Sequence, residues 1–228
     1  MTDITDFNAS ELSARIHQRQ VSCVDVMNAY LQRIEKLNPT YNAIVNIAPT
    51  EKLLAQSIEC DKELAAGKYR GPLHGIPYGI KDLFAVPDTR TTWGATPYKD
   101  QVINETATIV TKLEEAGGVL VGKFTLGALA MGDVWYGGVT KNPWNLKQGA
   151  SGSSAGSASA VSAGLVPFAI GTETLGSIVS PSTRNGVTGL RPTFGRISRH
   201  GAMALSWSMD KVGPISRSAL DNAIVLAV

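Results

Sequence analysis

Hydrophobic residues recur along the N-terminal part of the chain at the spacing of α-helices. Between residues 22 and 37 the apolar positions fall on one helical face, and Asn38 and Pro39 follow as a stop signal. Residues 49–66 show the same periodicity and end before a glycine, as helices commonly do. Residues 106–116 are also amphipathic. We therefore predict a helix over each of these ranges.

Short, continuous apolar runs alternate with these helical patterns. Residues 76–80, 119–122 and 166–171 have the length and composition of buried strands, and residues 41–47 form a weaker strand or a loop. Residues 153–163 are small and lead into the last of these strands, which predicts a helix there rather than a flexible linker. Alternating strands and helices predict an α/β fold with a mixed, largely parallel β-sheet covered by helices.

Composition narrows the class of protein. The chain has 228 residues, of which 43% are hydrophobic and 18% charged, with a formal net charge of +2, so nothing favours a nucleic-acid or membrane partner. The longest apolar run, residues 158–170, is too short and too interrupted to span a bilayer. The first residues are acidic, and the chain has two cysteines, so we expect no signal peptide and a cytoplasmic location.

Candidate chemistry lies at the ends of the predicted strands. Lys81 follows the apolar run at 76–80, and serines stand among glycines at residues 152–157 (GSSAGS) and 171–177 (GTETLGS). Serine is a weak nucleophile and needs a base, usually histidine and sometimes lysine. Each residue also has an ordinary interpretation: Lys81 as a solvated charge, Ser153 as a helix N-cap and Ser177 as part of a tight turn.

An ordered set of motifs gives this chain a family resemblance. It resembles the amidase signature family from residue 71 to residue 228, where the matching segments, besides Lys81 and the serine-rich stretches, are GPLHGIP (71–77), KNPW (141–144), GLRPT (189–193), GRISR (195–199) and GP (213–214). Residues 1–70 are similar to the helical lead-in of that family. We expect one structural domain, with a lead-in over 1–70 packed on an incomplete core over 71–228.

The resemblance implies a catalytic triad and a reaction. Ser177 is the nucleophile, and an uncharged Lys81 draws its proton through Ser153, which follows a cis peptide bond from Gly152. An amide is cleaved through an acyl-enzyme, and neither a metal nor an organic cofactor is required. The residues implied to bind the oxyanion or substrate are Thr174, Leu175, Gly176 and Met131, the last of which an ordinary core role explains equally well.

Two positions depart from the family pattern. Leu175 stands where the family usually has glycine, and Val179 stands where it usually has arginine. A backbone amide survives the first change, but a side chain at 175 narrows the acyl pocket. The second change replaces a charge and removes the ion pair that usually anchors the following segment in the family. Both put the substrate class in doubt more than the reaction type.

A different hydrolase also fits part of the sequence. Residues 152–156 match G-x-S-x-G, the nucleophile elbow of α/β-hydrolases, with Ser154 as nucleophile and Glu173 and His200 following in the required order. An esterase of this type needs a buried strand before the elbow, and residues 145–148 do not have that pattern. Replacement of His200 would separate this hypothesis from a lysine-driven mechanism.

The end of the chain raises a further alternative. Ser218 and Asp221 predict the start of a helix whose apolar stripe is only beginning to form by residue 228. Because members of the family are considerably longer, we expect a fragment or an unusually short member. The chain is then an active amidase for a small-molecule amide, an inactive fragment, or a subunit of a larger assembly. As part of an assembly, it forms a homo-oligomer or a complex that supplies a missing C-terminal segment. A third alternative is the tRNA-dependent amidotransferase of some family members, which releases ammonia from glutamine.

Overall fold

The computed structural model describes residues 3–228, so the first two residues of the predicted lead-in lie outside the described part of the chain. The α-helices in that part are α1 (Ala9–His17), α2 (Cys23–Tyr41), α3 (Thr50–Ala65), α4 (Thr108–Glu115), α5 (Ala155–Ser162), α6 (Val179–Asn185) and α7 (Ala219–Leu226). The strands are β1 (Ile44–Ile47), β2 (Pro77–Lys81), β3 (Val119–Phe124), β4 (Val134–Trp135), β5 (Gly138–Val139), β6 (Lys141–Asn142), β7 (Asn145–Gly149), β8 (Phe168–Glu173), β9 (Thr188–Gly189) and β10 (Lys211–Ser216).

A mixed sheet organises the fold. Its strand order is β1-β3-β2-β8-β10-β9, and β2 pairs in parallel with both β3 and β8 at the centre. The outer pairings, β1 with β3, β8 with β10 and β10 with β9, are antiparallel. Helix α5 packs on β2, β3 and β8, while α3 and α4 pack on β3. The predicted α/β class, with a mixed sheet covered by helices, is confirmed. The predicted division at residue 70 stays a prediction.

The helices form where apolar spacing and capping agree. In α2 the buried side chains include Val26, Tyr30 and Ile34, and Ser22 caps the helix by accepting a hydrogen bond from the Asp25 amide at 2.9 Å. The predicted stop before residue 38 is wrong, because α2 continues through its proline to Tyr41. Pro39 has no N–H to donate to the carbonyl oxygen four residues earlier, so it removes one backbone hydrogen bond near the end of α2, and only two helical residues follow it. The helix ends at Asn42, whose φ of 52° is left-handed.

The remaining predicted elements are present with small shifts at their ends. The strand predicted at 166–171 runs from Phe168 to Glu173, and the helix predicted at 153–163 begins only at Ala155. The elements that the apolar pattern did not predict are α1, α6 and the strands β4 to β7, β9 and β10. Most of these strands are short or exposed, so they carry no run of buried side chains that a sequence pattern could register.

Gly79 on β2 leaves room for an aromatic ring of β3. A Cβ atom on Gly79 would lie 2.0 Å from the ring of Phe124, which is fully buried. The register that this contact allows places Lys81 opposite Phe124 and Ile80 opposite Lys123. The end of β2 is therefore fixed in the core. In residues 3–228 no helix has the length and apolar character needed to cross a membrane.

Candidate active site

Lys81 ends β2 inside the protein, and its side chain is fully buried. Its Nζ donates to Ser153 Oγ at 2.7 Å and to Thr172 Oγ1 at 2.9 Å, and it lies 3.4 Å from the Thr172 carbonyl oxygen. Burial lowers the pKa of Lys81 to about 7, because desolvation disfavours the ammonium form, while the charges of Asp210 and Glu173 act in the opposite direction. A substantial fraction of this amine is therefore uncharged near neutral pH.

Ser153 is held by a tight backbone segment before α5. The peptide bond between Gly152 and Ser153 is cis. A Cβ atom on Gly152 would lie 1.8 Å from the Gly132 carbonyl oxygen, so the position has no room for a side chain. Ser153 is 1% exposed, and its hydroxyl faces the Lys81 amine rather than capping α5.

Ser154 joins the start of α5 to the neighbouring strand. Its backbone N–H donates to the Ser177 carbonyl oxygen at 3.1 Å, and its hydroxyl donates to the Thr172 carbonyl oxygen at 3.0 Å. The hydroxyl also accepts from the Thr172 amide at 3.2 Å. These bonds place the loop that carries Ser177 beside the Gly152–Ser153 peptide.

The Ser177 loop, residues 174–178, connects β8 to α6. Glu173 is buried, and its Oε2 accepts from the amides of Ile178 at 2.8 Å and Val179 at 2.9 Å, so the carboxylate closes the loop on itself. Ser177 is half-buried at the end of this loop, and Gly176 has a φ of 93°. Among the described residues, no hydrogen bond joins the Ser177 and Ser153 hydroxyls.

The loop offers unpaired backbone donors. Within residues 3–228, the amides of Thr174, Leu175, Gly176 and Ser177 donate to no protein acceptor. The side chain of Thr174 turns away from this set and donates to Asp210 at 2.6 Å. Free amides in a row at the end of a buried strand are the donors that an oxyanion requires.

The predicted substrate-binding side chains lie on an open surface. Leu175 is 82% exposed and Met131 is 68% exposed, so neither is a core residue. Trp207 is exposed as well, and it lines a cavity of about 20 Å³ that reaches Thr172 beside Lys81. A larger cavity of about 230 Å³ lies at the β1 edge of the sheet and contains none of the predicted site residues.

The residues of the nucleophile elbow do not meet in this structure. Ser154 is buried against Thr172, and Glu173 is bonded to the amides of its own loop. His200 is exposed, and its Nε2 lies 3.0 Å from the Glu105 carboxylate. The segment before the elbow is β7, whose side chains are largely exposed, so the buried strand that the elbow needs is absent from this segment.

Sequence patterns missed two residues at the site. Thr172 bonds Lys81, and Asp210 bonds Thr174, yet neither residue stands out in the sequence. The signal for Thr172 was its position within the 171–177 segment on a buried strand. No sequence pattern marks Asp210. It reaches the site because β10 pairs with β8, which places it across from the start of the loop.

The family model described as Amidase matches residues 25–228. The chain belongs to the amidase family. Among curated relatives, a Glutamyl-tRNA(Gln) amidotransferase subunit of Methylococcus capsulatus is 43% identical over 222 residues, which are 96% of this chain and 45% of that protein. The corresponding protein of Geobacter sp. is 39% identical over 98% of this chain and 46% of its own length.

Solved structures of amidases have the same fold. The native peptide amidase from Stenotrophomonas maltophilia matches with a TM-score of 0.91 and 38% identity, covering 97% of this chain and 47% of that one. A fatty acid amide hydrolase matches with a TM-score of 0.92 and 30% identity, covering 98% of this chain and 40% of that one. The chain thus spans about half the length of the curated relatives it matches.

Proposed function

We propose that this chain carries the catalytic machinery of an amidase that cleaves a carboxylic amide through an acyl-enzyme on Ser177. Lys81 is the base and Ser153 relays the proton. The amides of Leu175, Gly176 and Ser177 bind the oxyanion. Met131 and the Leu175 side chain border the acyl group.

The observation that carries this proposal is the environment of Lys81. A fully buried lysine that contacts hydroxyl and carbonyl oxygens, and no carboxylate, has nothing within hydrogen-bonding distance to neutralise an ammonium charge. The lowered pKa of Lys81 follows from that burial. A neutral amine 2.7 Å from Ser153 Oγ is placed to accept the hydroxyl proton.

The reaction then proceeds in balanced steps. When substrate binds, the Ser177 hydroxyl turns toward Ser153 and gives up its proton, while Ser153 passes its own proton to Lys81. The Ser177 oxygen attacks the carbonyl carbon, and the oxyanion accepts hydrogen bonds from the loop amides. The C–N bond breaks as the leaving amine takes the proton back through Ser153. Water, activated by the same lysine amine, hydrolyses the acyl-enzyme and restores Ser177.

A simple amide assay tests the proposal. We expect the purified chain to release the chromophore of an acyl anilide, and Ser177→Ala to abolish release. Mass spectrometry of a stopped reaction should show the acyl group on the peptide that contains Ser177. Ser162→Ala is the matched control, because its hydroxyl bonds Asn185 outside the site and should leave the rate unchanged. Equal rates for the wild type and Ser177→Ala would refute the proposal and favour an inactive fragment.

A second candidate function rests on the curated relatives. These relatives are named as subunits of a Glutamyl-tRNA(Gln) amidotransferase and are 43% and 39% identical to this chain, which favours a role within a larger amidotransferase assembly. In that role the amide is glutamine, and ammonia is the product passed on. Ammonia release from glutamine without turnover of acyl anilides would favour this role. The reverse result would favour an independent amidase.

A further inference from the structure

The loop that carries Ser177 is bonded to the next strand of the sheet at its first residue. The antiparallel register pairs Lys211 with Glu173, so Asp210 lies across from Thr174. The Thr174 hydroxyl donates to Asp210 Oδ1 at 2.6 Å, and Lys211 Nζ donates to the Thr174 carbonyl oxygen at 3.1 Å. Two neighbouring side chains thus hold both the side chain and the backbone of one loop residue.

The second carboxylate oxygen of Asp210 accepts hydrogen bonds from a different segment. Its Oδ2 accepts from the amides of Leu205 at 2.7 Å and Ser206 at 3.0 Å. Asp210 is only 8% exposed, and a buried carboxylate that accepts three hydrogen bonds is a rigid point of attachment. The Ser177 loop and the segment that carries the exposed Trp207 are therefore fastened to the same side chain.

We propose that Asp210 and Lys211 are positioning residues that set the loop amides at the distance an oxyanion requires. The tether through Thr174 fixes the start of the loop, as the Glu173 carboxylate fixes its end. The amides of Leu175, Gly176 and Ser177 lie between these two attachments. This inference rests on the proposed function, because it assigns the tethered amides to the oxyanion of that reaction.

The Thr174 hydroxyl can be removed without disturbing Asp210. Thr174→Val deletes the side-chain bond of the tether and keeps the Lys211 bond to the backbone carbonyl oxygen of residue 174. It also leaves Asp210 bonded to Leu205 and Ser206, whereas Thr174→Ser keeps a hydroxyl that can reach the same oxygen. Thr183→Val is the matched control, because it deletes a hydroxyl that donates to the Val179 carbonyl oxygen on the exposed side of α6. All three variants alter a threonine of the same region by a similar volume.

The chemical readout is labelling of Ser177 by a fluorophosphonate, in which the serine oxygen bonds to phosphorus and fluoride leaves. We expect Thr174→Val to lower the maximal labelling rate by about 10- to 100-fold with little change in the concentration that gives half of that rate. Thr174→Ser should recover most of the loss, and Thr183→Val should match the wild type. Equal rates for Thr174→Val and Thr183→Val would overturn the inference.

A pH profile separates positioning from charge. The labelling rate should rise with pH as Lys81 loses its proton. Thr174→Val keeps the Asp210 charge, so the midpoint of this rise should be the same as in the wild type. Asp210 and Glu173 are the two carboxylates whose charges raise the pKa of Lys81. Asp210→Asn removes one of them, so the midpoint of its pH–rate curve should move to lower pH. A midpoint shift in Thr174→Val of the same size as in Asp210→Asn would contradict a purely positional role for the tether.

Hydrogen exchange keeps the inference separate from the proposed function. We expect the amides of Ile178 and Val179, which donate to Glu173, to exchange faster in Thr174→Val than in Thr183→Val, whether or not the chain turns over a substrate. An unlabelled wild type would refute the proposed function, and the exchange comparison alone would then decide whether the tether orders the loop. Identical exchange in the two variants would refute the tether even if the wild type is fully labelled.

Discussion

Two buried lysines lie on neighbouring strands of this sheet, and their surroundings give them different chemistry. Lys81 on β2 contacts hydroxyl and carbonyl oxygens, whereas Lys123 on β3 lies 2.8 Å from the Asp82 carboxylate, with both partners of that pair fully buried. Asp82 follows Lys81 directly, so successive side chains at the end of β2 point to opposite faces of the sheet. One face holds an amine that contacts only neutral oxygens, and the other holds an ion pair.

The comparison shows that burial alone does not make a lysine a base. Desolvation lowers the pKa of both amines, but the Asp82 charge at contact distance opposes that effect for Lys123. Asp82 is bonded further to the Thr92 amide at 3.0 Å and to the Thr92 hydroxyl, so the pair fastens the loop after β2. Lys123 is therefore a structural residue, whereas the hydroxyl environment of Lys81 suits proton transfer.

The largest expected effect is on catalysis at Lys81. Lys81→Met keeps the volume and removes the base, so we expect amide hydrolysis to fall by about 10²- to 10⁴-fold. The free energy of unfolding at pH 7 should stay the same or rise, because the variant no longer buries an ionisable amine. Steady-state kinetics and denaturant titration measure the two effects. A Lys81→Met protein that is as active as the wild type would end the distinction between the two lysines.

The opposite variant should act on stability. Lys123→Met leaves the Asp82 carboxylate buried without its cation, which we expect to lower the free energy of unfolding by about 3–5 kcal/mol. Urea denaturation followed by circular dichroism gives the value. The double variant with Asp82→Asn should recover part of the loss because no unpaired charge remains. If the free energy of unfolding falls by no more than an exposed ion pair contributes, the pair of Lys123 with Asp82 does not stabilise the fold.

The pH dependence sharpens the comparison further. With the pKa of Lys81 lowered to about 7, we expect kcat/KM to rise about tenfold per pH unit below 7 and to level off above it. Between pH 7 and the ordinary value of 10.5, the unfolded chain binds a proton at Lys81 that the folded chain does not. Stability contributed by this group therefore rises with pH across that window, and the advantage of Lys81→Met over the wild type should shrink. A parallel pair of stability curves would contradict this assignment.

The smallest effect is expected for an ion pair at the surface. Arg191 Nη1 lies 3.7 Å from Glu173 Oε1, but the arginine side chain is 55% exposed. Exposed pairs contribute at most about 1 kcal/mol, so Arg191→Ala should change the free energy of unfolding by less than that. Thermal denaturation at low and high salt measures the change. A loss comparable with that of Lys123→Met would mean that Glu173 depends on this arginine to hold the Ser177 loop.

Sequence patterns predicted the parts of the fold that repeat. The apolar stripe of α2 and the continuous run of β2 were readable because burial imposes a period on them. The strand β10 was not, because Gly213 and Pro214 interrupt its apolar run. Its register with β8 was not readable either, because a register is a relation between two distant segments. Sequence motifs single out Lys81, Ser153 and Ser177 as candidates, but they do not identify the residues that bond them.

The missed partners share a physical cause. Thr172, Asp210 and Lys123 are ordinary residues in the sequence, and they act only through neighbours that the sheet brings to them. Glu173 was considered as a member of an elbow triad, whereas in the structure it bonds the amides of Ile178 and Val179. A motif indicates which residue type stands at a position. The hydrogen bonds that this residue makes depend on the packing around it.

The position of β8 between β2 and β10 has a consequence for biosynthesis. A ribosome releases Lys81 first, the two serines later, and the segment that carries Asp210 and β10 later still. In a nascent polypeptide the Ser177 loop therefore lacks its bonds to Asp210 and Lys211 until β10 pairs with β8. Stalling of translation between these two strands would leave an emerging product that contains Lys81, Ser153 and Ser177 but lacks the strand to which the Ser177 loop is bonded.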